Sequence, residues 1–109
     1  MLILALAMAA DGFGAPFPHA TLARGSEVGR CLTRYEFVAR APLDQVADFY
    51  TKEAAKAGVP ALGNSERRFP NYRMLVFVKQ PRFLDVVLSQ KNDVTTGRVS
   101  FHTSAPAGR

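Results

Sequence analysis

The chain has little of what usually advertises a chemistry. Cys31 is its single cysteine, which excludes an internal disulfide, and the surrounding "VGRCLT" is not the small-residue setting of a lipid-anchored cysteine. The two histidines, His19 and His102, stand far apart with no H-x-x-x-H or cysteine pair beside them. A closed zinc site needs four ligands at recognisable spacings, so no metal and no cofactor are expected. Phosphate-binding loops and nucleophile elbows are missing. Glu36, Glu66 and Asp85 are not spaced as an acid–base pair. No apolar run approaches the roughly 20 residues that span a bilayer, and there is no internal repeat or low-complexity tract. Basic runs are lacking too: ten Arg and four Lys are scattered along the sequence, and the aromatic-rich signature of an RNA-recognition sheet is absent. Tyr35, Phe37, Phe77 and Phe101 therefore read as core before they read as base-stacking platforms.

What is present is architecture. At 109 residues the chain has room for one domain with a core large enough to fold unaided. Residues 42–57 read as its one helix. Pro42 suits the first helical position, and Asp44 places a negative charge in the first turn, facing the positive end of the helix dipole. Leu43, Val46, Ala47, Tyr50, Ala54 and Ala57 share a face, with Phe49 at its margin. Asp44, Gln45, Asp48, Lys52, Glu53 and Lys56 take the other side, Asp48 and Lys52 in the favourable order for an i,i+4 ion pair. Gly58 can take the left-handed position after the helix, Val59 can fold back toward Ala54, and Pro60 forbids continuation.

A helix with one apolar face must lie on something, and the remaining periodic segments alternate as strands do. Tyr35, Phe37 and Ala39 interleave with Arg34, Glu36, Val38 and Arg40. Met74, Val76 and Val78 interleave with Leu75, Phe77 and Lys79. Leu84, Val86 and Leu88 form the cleaner apolar set of the next segment, and Val99 and Phe101 alternate with Arg98, Ser100 and His102. Gln80-Pro81 separates the second strand from the third, residues 91–97 read as a hairpin loop, and residues 60–73 as the longest irregular piece. The expected fold is α+β: one helix packed on a mainly antiparallel sheet of four or five strands, in the order β-α-β-β-β.

The start of the chain carries a different signal. "MLILALAMAA" is apolar, too short to span a bilayer, and offers Ala7-Met8-Ala9 as a small-x-small cleavage site before the glycine-rich "DGFGAP". That is the pattern of a secretory signal peptide, although no Lys or Arg precedes the apolar run. Residues 1–9 are read as the signal and 10–109 as the domain, a buried first strand being the competing reading of the same residues.

"FPHATL", "YEFVARAPLDQVADFYTKEAAKAGV", "LVFVK", "FLDVVLS" and "RVSFHT" together resemble a group of small exported bacterial domains of unknown function. Members open on a Tyr-Pro-Gly-Ala-like stretch, continue with a strand and a Ser-Pro-Glu-Glu-Val-x-x-Phe-Tyr helix closed by Ala-Gly-Trp, and end in a β-meander. The likeness covers about residues 17–103 and implies the fold and export, with no catalytic residues to carry over. Phe17 and His19 stand where the group has Tyr and Gly, Val59 where it has Trp, and Ala41 where it has the capping Ser. Loss of such a cap typically costs ~1 kcal/mol, so helix entry has to lean on Pro42 and packing.

A net charge of +5 favours anionic partners in general. Alternation makes this more specific: if Tyr35, Phe37, Val99 and Phe101 point under the helix, then Arg34, Glu36, Arg40, Arg98, Ser100 and His102 share the opposite face. Arg34, Arg40, Arg98 and His102 are the candidate binding residues, and they converge only where the first and last strands are neighbours. The expected function is that of a non-enzymatic domain of the cell envelope, periplasmic or secreted, binding a partner protein or an anionic envelope component. The alternatives are a cytoplasmic nucleic-acid-binding module, if the start is not cleaved, and a small thiol-dependent enzyme using Cys31 with a histidine.

Overall fold

The computed structural model describes residues 13–22, 27–28, 32–62 and 67–102, with only the backbone described for Glu27, Val28, Arg67, Arg68 and His102. The apolar start and Cys31 lie outside the described residues. In chain order the elements are β1 (Thr21–Leu22), β2 (Glu27–Val28), β3 (Thr33–Ala39), α1 (Leu43–Lys56), β4 (Arg67–Phe69), β5 (Tyr72–Lys79), β6 (Arg82–Lys91) and β7 (Val94–His102). All pairings are antiparallel, in the spatial order β1-β3-β7-β6-β5-β4, with β2 also on β3. The fold is α+β, with one helix on an antiparallel sheet whose four long strands are those expected. The additions are short edge pieces. Within the stretch 60–73, read as irregular, Arg67–Phe69 pairs back onto Tyr72–Met74 and Ala61 bridges to Phe77. The hairpin loop is also shorter than 91–97: only Asn92 and Asp93 turn, Asn92 at φ 59, and Val94 to Gly97 belong to β7. Asn tolerates the left-handed region, so two residues suffice.

The helix is built as its sequence dictates. Leu43, Val46, Ala47, Tyr50 and Ala54 are buried, while Phe49 and Ala57 pack at the margin. Pro42 occupies the N-cap, one position before the one expected, in extended geometry at ψ 152. At the other end the Gly58 N–H donates to Ala55 O (3.0 Å) and the Val59 N–H to Ala54 O (2.9 Å), with Gly58 at φ 76. This pair of bonds satisfies carbonyls that the last turn leaves open.

The inner face of the sheet presents Tyr35, Phe37, Ala39, Leu75, Phe77, Leu84, Val86, Leu88, Val99 and Phe101 to the core. α1 contacts β5, β6 and β7. Residues 13–20 complete the layer over β3, where Tyr50 of α1 also meets Tyr35 and Phe37. Phe13 is fully buried, edge-on to Phe101. A chain of hydroxyls ties this segment down: Tyr35 Oη donates to Gly14 O (2.9 Å), lies 3.0 Å from Tyr50 Oη, and Tyr50 Oη accepts from the Phe17 N–H (3.1 Å). Because the proton of Tyr35 is committed to Gly14, Tyr50 must donate to Tyr35, which gives the chain one direction.

Candidate functional site

Opposite the helix the sheet is uncovered by any described element. Cross-strand register lays its residues out in rows. Val38, Thr96, Ser89, Tyr72 and Phe69 form one row, Glu36, Arg98, Val87 and Met74 the next, then Arg34, Ser100, Asp85 and Val76, then Phe83 with Val78. An antiparallel sheet with one solvated face normally keeps that face polar. Here the polar residues gather on β3 and β7, with Ser89 and Asp85 beside them on β6. Across β6, β5 and β4 the same face carries Phe69, Tyr72, Met74, Val76, Val78, Phe83 and Val87. Phe69 is 57% exposed and its ring lies 5.8 Å from that of Tyr72.

The origin of this apolar half is visible in β5. Both alternating sets of "YRMLVFVK" are apolar, and the structure turns Leu75 and Phe77 inward together with Arg73, leaving Met74, Val76 and Val78 outside. Arg73 reaches the flank of α1, where its Nη2 lies 3.3 Å from Asp44 Oδ1. Asp85 sits within the outer face between Val76 and Ser100, and burial among these neighbours raises its carboxyl above the ordinary value.

The four residues expected to bind are divided. β3 and β7 are paired, so Arg34 and Arg98 are diagonal neighbours on the outer face, and Glu36 stands directly opposite Arg98 with Nε to Oε2 at 3.9 Å. Arg40 is elsewhere. It follows the end of β3 and lines a groove of about 730 Å³ between the turn at residues 17–20, the end of β3 and the side of α1. The backbone of His102 lies in β7 at the Phe83 end of the outer face; its side chain is outside the described residues, as are those of Arg67 and Arg68.

Sequence reasoning did not reach the groove. Its floor includes Phe17 and Phe49, edge-on at 5.4 Å, and its rim His19, Arg40, Asp48 and Lys52. The available signal was Pro18-His19: Pro followed by a residue at φ 64 closes a four-residue turn, with the Ala20 N–H donating to Phe17 O at 3.1 Å. Glycine is the usual occupant of that third position.

Among the described residues no group of three His, Cys, Asp or Glu side chains is placed to hold a metal ion, and no helix is long and apolar enough to cross a membrane. No family model, curated protein or solved structure matches this chain.

Proposed function

We propose that the protein is a non-enzymatic exported domain of the cell envelope that holds a partner protein against the outer face of its sheet. The observation that carries this reading is the apolar half of that face, with Phe69 exposed and Tyr72, Met74, Val76, Val78, Phe83 and Val87 half-buried, on the side that an isolated domain would keep polar. Contiguous apolar patches of this kind mark interaction surfaces. Both charge signs lie beside it, Arg34, Arg98 and Glu36 on β3 and β7 and Asp85 on β6, which suits the mixed surface of a protein better than a uniform polyanion. The apolar start ending in Ala7-Met8-Ala9 and the resemblance to small exported bacterial domains support export.

The test is site-specific photo-crosslinking in bacterial cells expressing the full chain, from positions 76 and 87 on the outer face and from position 56 on the exposed side of the helix. Crosslinks from 76 and 87 to a protein of the envelope fraction, or to a second copy there, are the expected result. A yield no greater than that from position 56 refutes the docking surface, and recovery of the uncleaved chain in the cytoplasm refutes export.

A second reading, attachment to an anionic envelope component, is favoured by the adjacency of Arg34 and Arg98. It requires that binding to anionic vesicles fall with salt, because exposed charges are screened, and that it be lost in the Arg34→Ser, Arg98→Ser double variant.

A further inference from the structure

The groove beside α1 meets the outer face only at its β1–β3 edge, through Thr21 and Val38, far from the apolar half on β4 to β6, and its chemistry is different. Its volume of about 730 Å³ falls within the range of about 300–1,000 Å³ typical of small-molecule sites. The rings of Phe17 and Phe49, with Val38 left 37% exposed, provide an apolar bed. Around the rim the charges do not cancel. Lys52 is matched by Asp48, its Nζ 3.2 Å from Oδ2, whereas Arg40 makes no ion pair or hydrogen bond among the described residues. An exposed guanidinium at the edge of an apolar bed can serve as a fork for one carboxylate.

The backbone at the opposite rim points the same way. His19 is held at φ 64, in a position that glycine occupies with less strain, and its exposed side chain borders the groove. Non-glycine residues in the left-handed region concentrate where a site constrains them. We propose that this groove binds a small apolar molecule bearing a single carboxylate, with the apolar body on Phe17 and Phe49 and the carboxylate on Arg40. An acyl chain and the C-terminus of an apolar peptide both offer that chemistry.

Decanoate and N-acetylphenylalanine serve as probes of the two sources, and decyltrimethylammonium as the charge-reversed control. Each is titrated into the folded domain while backbone amide shifts are followed by NMR. At least one carboxylate should shift amides at residues 17–21, 38–41 and 45–52, and the ammonium should bind more weakly. Arg40→Gln should weaken carboxylate binding by roughly ten- to a hundredfold, the usual worth of a hydrogen bond to a charged group. Arg34→Gln, on the outer face, should leave it unchanged. Arg40→Glu should reverse the preference toward the ammonium, and because position 40 is exposed both variants keep the fold. Equal binding of both signs of probe, shifts confined to the outer face, or the same loss in Arg34→Gln as in Arg40→Gln each overturn the proposal. These outcomes leave the partner surface at Val76 and Val87 untouched, so the two readings fail separately.

Discussion

Single residues decide how closely the layers meet. Gly97 lies across from Phe37 on the inner face, and a β-carbon there would run into the Phe37 ring and approach Leu88 Cδ2 at 3.1 Å. Gly97→Ala should therefore lower stability by about 1–3 kcal/mol, the usual cost of overpacking. The double variant with Phe37→Leu should lose less than the sum of the singles in thermal denaturation, because the clash is gone. The buried phenols act through protons. Burial lifts the Tyr35 hydroxyl well above its usual value, and Tyr50 likewise, burial being the larger cause for each. With folded values above the unfolded value of 10.0, the stability of this pair is complete below that pH. It falls as pH rises through that value, because only the unfolded chain releases the protons. Tyrosinate absorbance from these two side chains should thus appear together with loss of near-ultraviolet circular dichroism. Ionisation of either at full native signal would contradict the buried hydroxyl chain.

At the scale of the element, α1 begins without a capping side chain of its own, and tertiary structure supplies one. Gln90 Oε1, projecting from β6, accepts the Leu43 N–H at 2.7 Å, and Thr95 Oγ1 donates to Ala41 O at 2.7 Å just before the helix. The expectation that entry leans on Pro42 and packing thus omitted a partner 47 residues away. Gln90→Ala should cost about 1 kcal/mol, comparable to removal of a local cap, and hydrogen exchange should accelerate first at the start of α1. The two faces of the helix should respond unequally. Val46, fully buried, becomes an unpaired buried charge in Val46→Asp, at a cost of several kcal/mol. Asp48→Ala removes only an exposed ion pair, worth about 0.3–0.5 kcal/mol. Comparable melting points for the two variants would mean that the helix faces had been exchanged.

At the scale of the molecule, one helix and residues 13–20 cover one side of the sheet, and no described element covers the other. If the outer apolar half is a docking surface, its residues contribute little to the stability of the isolated domain. Val76→Lys with Val87→Lys should then change the denaturation midpoint only slightly, since both positions keep part of their surface in water and a lysine stem can lie on the sheet with its ammonium solvated, while abolishing photo-crosslinks placed at Met74. A large loss of stability without loss of crosslinks would assign these valines to the folding core instead.

The local rules of the chain determined the helix, its ends and its buried face, the pairing-competent strands, and the alternation of β3, β6 and β7. Each depends on neighbours in sequence: Pro42 and Gly58 fix backbone geometry, and period-two burial follows from pleating. Sequence also fixed that Arg34 and Arg98 could share a face. It could not fix which apolar set of β5 turns inward, because Met74, Val76 and Val78 are as fit for burial as Leu75 and Phe77. Nor could it show that residues 13–20 complete the layer over β3, that Gln90 caps α1, or that Arg40 leaves the cationic patch to border a groove beside Phe17 and Phe49. These depend on segments far apart in the chain, and only tertiary assembly, with β3 paired to β7 and residues 13–20 and α1 laid on the sheet, brings them together.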